Sequence, residues 1–136
     1  HVIMAGSGEI LQEIEVPLPA PQISSVYLKF RLRESIDFPV LGVAVMLELA
    51  EKGSGKYCED ARLVFTGAES GPVEAMQARE ELLQRELKPG LPARVAAMAA
   101  SEIHPIKTAL VSPRYKREIA KIIVAEALKR AGGIEE

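Results

Sequence analysis

Val40-Leu41-Gly42-Val43-Ala44-Val45-Met46-Leu47-Glu48-Leu49, then Lys52-Gly53-Ser54-Gly55-Lys56, then Ala61-Arg62-Leu63-Val64-Phe65-Thr66: the fold turns on this stretch. Its first run is apolar without interruption to Leu47 and rich in β-branched valine, which suits a central strand covered on both faces. The glycine-rich residues 52–56 read as a tight turn, and residues 61–66 as a strand returning beside the first. Strands joined by so short a turn lie antiparallel.

Toward the N-terminus, Val26, Leu28, Phe30 and Leu32 interleave with Tyr27, Lys29, Arg31 and Arg33, and Glu13-Ile14-Glu15-Val16 alternates in the same way. Both read as strands with one wet face. Pro17, Pro19 and Pro21, with Ser24 and Ser25, mark the loop between them, because proline has no ladder donor. Beyond Gly71-Pro72 the composition shifts to good helix formers. A first helix is expected from Glu74 to Leu87, stopped by Lys88-Pro89-Gly90, and a second from Pro92 to about Ile103. A third starts at Ser112 as cap with Pro113 in the first helical position, turns Tyr115, Ile119, Ile122, Ile123 and Ala127 inward, and stops at Gly132. Strands first and helices after predict an α+β fold: an antiparallel sheet of three to four strands followed by about three helices packed on one face. Residues 1–7 are expected to be a tag remnant or linker, and residues 8–136 a single domain.

Composition bounds the function. With 136 residues and a net charge of −2, the chain has no field to steer nucleic acid or an anionic membrane. The longest apolar run, Val40 to Leu47, falls far short of the roughly 20 residues that span a bilayer, so a cytoplasmic protein is expected. Cys58 is the only cysteine, which excludes an internal disulfide and any iron–sulfur site built from this chain's own thiolates.

Few residues suggest chemistry. Lys52 to Lys56 lacks the spacing of a phosphate loop, since Ala50 and Tyr57 stand where a glycine and a hydroxyl residue are needed, and it reads as a hairpin turn. Arg114, Lys116 and Arg117 around Tyr115 read as a solvated helix face. His104 has no catalytic partners near it in sequence, and carboxylates beside Cys58 oppose a thiolate. Tyr27, Lys29, Arg33 and Asp37, leading into Phe38-Pro39, form the most suggestive group. An Arg33–Asp37 ion pair at the mouth of the apolar strand is its plainest reading.

That group also carries a resemblance. Tyr27-x-Lys29-x-x-x-Arg33-x-x-x-Asp37-Phe38-Pro39-x-x-Gly42-Val43-Ala44-Val45 resembles the signature opening the C-terminal domain of the flavoprotein (medium) subunit of molybdenum hydroxylases, the carbon monoxide dehydrogenase and xanthine dehydrogenase class. Gly8-Glu9-Ile10-Leu11 through Pro17, Glu59-Asp60-Ala61-Arg62 and Ser112-x-x-Tyr115-Lys116-Arg117 are similar to further family segments. Thr66-Gly67-Ala68-Glu69-Ser70-Gly71-Pro72 departs from the family's Gly-Gly-Val-Ala-Pro.

The resemblance implies one component of a molybdenum–iron–sulfur–flavin oxidoreductase, inactive alone. Such a component helps enclose an FAD that passes electrons from [2Fe-2S] clusters to an external acceptor. The implied partners are upstream FAD-binding domains, an iron–sulfur subunit and a molybdenum subunit holding the molybdenum–pterin, with no nucleic acid and no membrane. Asp37, Phe38 and Pro39 are the residues implied near the flavin, with Lys29 beside them. A flavin-free binding or assembly module of the same fold is the alternative.

Overall fold

A computed structural model describes residues 8–33, 38–108 and 111–134. Four strands, β1 (Ile23–Phe30), β2 (Leu41–Lys52), β3 (Gly55–Thr66) and β4 (Val73–Glu74), form one antiparallel sheet in the order β1-β2-β3-β4. Helices α1 (Met76–Leu82), α2 (Leu91–Glu102) and α3 (Pro113–Gly132) follow. This is the expected α+β order. The glycine-rich turn joins β2 to β3 with Lys52 opposite Gly55, and Gly53 takes the positive φ of +66° that the reversal needs.

All three helices pack on one side. α3 lies against β1 and β2, α1 against β3, and α2 packs on both helices. The inner face of the sheet presents Leu41, Val43, Val45, Leu47, Leu63 and Phe65 to Val95, Ala99, Ala120, Val124 and Ala127. Glu59 has no partner in the ladder, where the register shifts beside Glu48 and Leu49. That extra residue lets Cys58 and Ala61 both face inward despite their odd separation.

Five expectations change. β2 is covered on its inner face only: Ala44 is exposed and Met46 half-buried on the other side. Its apolar run reflects small residues on a bare face, not a second layer. Residues 9–20 form no strand, so Glu13–Val16 stands apart from the sheet, while Ser24 and Ser25 belong to β1 instead of the loop.

The first helix is shorter than the periodicity predicts. Glu74 pairs in β4, and after Leu82 the chain leaves the helix, with Gln84 at a φ of +58°. Residues 84–87 then run along β3: Gln84 N–H donates to Cys58 O (2.7 Å), Arg85 O accepts from Cys58 N–H (3.0 Å) and Leu87 N–H donates to Lys56 O (2.8 Å). An open strand edge outbids helix propensity here, because its amides would otherwise lack partners.

α3 is capped as expected, with Ser112 Oγ accepting from Tyr115 N–H (3.2 Å), but its buried stripe is rotated. Ile122 and Tyr115 are exposed, whereas Lys116, Ala120, Val124, Leu128 and Ala131 are buried with Ile119 and Ala127. Alanines let α3 approach its neighbours closely, so small side chains decide which face goes inside.

Candidate functional site

The uncovered face of the sheet forms a regular grid. Antiparallel register sets Lys29, Gly42 and Thr66 in one row and Tyr27, Ala44 and Val64 in the next, with Ser25, Met46 and Arg62 behind. Gly42 and Ala44 leave the centre low and flat. The Tyr27 ring lies diagonally over Gly42: a Cβ at that position would stand 2.5 Å from the Tyr27 hydroxyl oxygen and 2.6 Å from Thr66 Oγ1. A side chain at this position would have to push the Tyr27 ring and the Thr66 hydroxyl aside. A shallow depression of about 250 Å³ lies beside it, lined by Tyr27, Ala44, Met46, Arg62 and Val64 among others.

Phe38 and Pro39 border the Lys29 end of this face. Val40 N–H donates to Phe30 O (2.9 Å) and closes the connection from β1 to β2. Phe38 is 91% exposed, so it takes no part in this chain's core. Asp37 lies outside the described residues, and with it the expected Arg33–Asp37 pair. Arg33 is exposed. Of the four residues implied near a flavin, Lys29, Phe38 and Pro39 thus gather at one end of the sheet.

Lys116 supports that end from beneath, which its sequence context did not suggest. It is only 4% exposed, and its ammonium donates to Gly67 O at 2.8 Å. Gly67, at a φ of +74°, lies so close to the preceding connection that a Cβ would stand 3.1 Å from Val40 O and 3.3 Å from Pro39 O. A buried cation thereby holds the loop after β3 against the loop before β2. The grouping of Arg114, Lys116 and Arg117 as one solvated face is corrected: helical geometry turns Lys116 inward while Arg114 stays out.

Elsewhere the titratable groups have structural work. Asp60 accepts from Arg79 Nη2 (2.7 Å), Arg79 Nε (3.2 Å) and Ala61 N–H (2.8 Å), and the guanidinium beside it holds its carboxyl below the ordinary range. His104 is exposed, and its backbone N–H donates to Glu69 Oε1 at 2.7 Å. Among the described residues no three of His, Cys, Asp and Glu gather where they could hold a metal, and no helix is long and apolar enough to cross a membrane.

Cys58 is fully buried, and burial, helped by the Asp60 charge, pushes its thiol up to about 11. A thiol reagent at about pH 8 should therefore leave the native chain unmodified and label it after denaturation, since only exposed thiolate reacts. Rapid labelling of the native chain would show that Cys58 is accessible.

These residues can offer a flat, mostly apolar wall with one aromatic ring, one lysine and a phenylalanine at its rim. Such a wall suits one side of a planar ring system better than a phosphate chain, because among the described residues no glycine-rich loop leads into a helix beside it.

The model for the CO dehydrogenase flavoprotein C-terminal domain matches residues 26–131. The glyceraldehyde dehydrogenase medium chain of Sulfolobus acidocaldarius is 29% identical over 122 residues, covering 90% of this chain and 41% of that one. Quinoline 2-oxidoreductase from Pseudomonas putida 86 superposes with a TM-score of 0.73 at 20% identity, over 85% of this chain and 39% of that chain. CO dehydrogenase from Hydrogenophaga pseudoflava gives 0.74 at 23% identity, over 87% and 39%. The chain thus spans about two fifths of the length of these proteins, and the structural likenesses speak for the fold.

Proposed function

The chain belongs to the family of CO dehydrogenase flavoprotein C-terminal domains, and we propose that it serves as one wall of a flavin site in a molybdenum hydroxylase. The observation that carries this is the clustering of Lys29, Phe38 and Pro39 at the end of a bare, flat sheet face, within the matched residues. FAD, when bound, would supply the electron-carrying ring between [2Fe-2S] clusters and an external acceptor. Upstream FAD-binding domains would hold most of the dinucleotide, and iron–sulfur and molybdenum–pterin subunits would complete the complex.

This chain's residues would act by packing and charge. Phe38 and Pro39 exclude water at the rim, Lys29 brings positive charge to the same end, and Asp37 completes the group proposed near the flavin. Lys116 keeps the loops beneath them in place. The aromatic wall is the ring of Tyr27, spread over Gly42.

In the intact flavoprotein assembly, Phe38→Ala and Gly42→Val should each change flavin absorbance and speed flavin loss by roughly tenfold, a modest share of a buried cofactor's binding energy. The isolated 136-residue chain should bind FAD no tighter than micromolar, because an open half-site buries too little of the ligand. Unchanged flavin properties in both variants would sink the placement. Submicromolar FAD binding by the isolated chain would overturn its role as one wall only.

A further inference from the structure

The helical side of the fold carries a groove in which the flavin wall has no part. It runs between α2 and α3, which lie in opposite directions: Pro92 and Ala93 stand across from Ala125 and Lys129 at one end, Ala97 and Ser101 across from Lys121 and Arg114 at the other. The first end opens to about 400 Å³ and the second to about 350 Å³. α2 is 12 residues long, so the groove that follows it extends for about 18 Å.

Its two walls differ in charge. α2 lines the groove with alanines, a proline and Ser101 and brings no ionised group to it. α3 brings Arg114, Arg117, Lys121 and Lys129, against the carboxylate of Glu118. These cations share one face because residues three and four apart on a helix are neighbours. The chain as a whole carries −2, so this gathering of positive charge runs against its overall balance.

Glu118 does not cancel that wall. It is engaged with Lys121 Nζ, at 2.9 and 3.2 Å, in one pair among several cations. Arg117 Nε donates to Ile103 O, at the C-cap of α2, over 3.3 Å. A helix C-terminus repels anions, and here a guanidinium stands against it.

We infer that this groove is a docking site for an acidic segment of a partner polypeptide. The segment's carboxylates lie against Arg114, Arg117 and Lys121, and its apolar residues lie at the end formed by Pro92, Ala125 and Ile134. Charge complementarity selects the occupant, since a guanidinium meets a carboxylate with two parallel N–H donors. A nucleic-acid strand fits less well: no aromatic ring lines the groove for bases to stack on, and Glu118 stands among the cations. Ile122 borders the same face of α3 and is 64% exposed, so a docked segment also removes apolar surface from water. The groove lies on the helices and the proposed flavin wall on the uncovered face of the sheet, so this inference stands without the flavin reading.

Carbodiimide cross-linking tests it, because that reagent joins a lysine amine to a carboxylate in contact with it and adds no spacer. In the protein purified at low salt from its natural source, Lys121 should link to an aspartate or glutamate of another polypeptide. Lys121→Arg should abolish the link and keep the partner bound, since the charge remains. Arg114→Glu with Lys121→Glu should weaken retention of the linked polypeptide about a hundredfold at about 0.15 M salt. Both residues are exposed, so the reversed chain should melt like the parent, and Lys121→Glu alone should act in the same direction by about tenfold.

Links from Lys121 to Glu118 of the same chain and to nothing else would overturn the inference. So would links to a second copy of the chain, which would make the groove a self-association surface, or retention that ignores both charge reversal and salt. Nucleic acid bound in the purified protein and released by the double reversal would overturn it as well. Flavin absorbance of the same preparations reads the proposed function alone.

Discussion

Phe65→Ala should destabilise the isolated chain by about 3–5 kcal/mol, lowering its melting temperature on the order of 10 °C, while Phe38→Ala should leave it within about 0.5 kcal/mol of the parent. The two phenylalanines look alike in composition and differ wholly in burial, 0% exposed against 91%. Phe65 stands on the inner face of β3, opposite Val43 on β2 and Val73 on β4. Truncating it opens a cavity between sheet and helices, which neighbours on two strands cannot collapse to fill. Phe38 has little to lose in this chain. Thermal melts of both variants decide the matter, and a large loss for Phe38→Ala would return that residue to the core and remove it from the proposed site.

Glu102→Ala should cost about 2–3 kcal/mol, and Glu102→Gln roughly half as much. Helix α1 is seven residues long and has Ala75 at its N-cap, where no side chain accepts a hydrogen bond. Its exposed amides are met from a distance: Glu102 Oε2 accepts from Gln77 N–H (2.9 Å) and Oε1 from Ala78 N–H (2.8 Å). A carboxylate there also faces the positive end of the helix dipole. Alanine removes both acceptors, whereas glutamine keeps one acceptor without the charge. Denaturant melts should rank parent, Gln and Ala in that order. Equal stability of all three would mean that water serves those amides as well.

Part of the candidate site was legible before any fold was known. Tyr27, Lys29, Phe38, Pro39 and Gly42 stand in one spaced signature, and strand alternation alone sets Tyr27 and Lys29 on a common face. The signature did not reveal why Gly42 is glycine. Its reason is a diagonal neighbour on another strand, and such diagonals depend on register. Lys116 was read as solvated because lysine almost always is. Its burial depends on the rotation of α3, which is set by alanines that carry little hydrophobic signal.

The sequence by itself determined the α+β order, the β2–β3 hairpin, the cap of α3 and the span of α2. Each of these depends on interactions between residues close in the chain: turn glycines, a serine before a proline, periodicities of two and near four. Tertiary structure alone decided that β2 keeps one bare face and that α1 ends at Leu82 so that residues 84–87 can run beside β3. It also decided that Lys116 lies beneath the loops at the proposed site, and that residues 9–18 find no place on this sheet. Those outcomes turn on which distant surfaces are left uncovered and which edge amides lack partners. Free energy of that kind is set only when all the elements have packed.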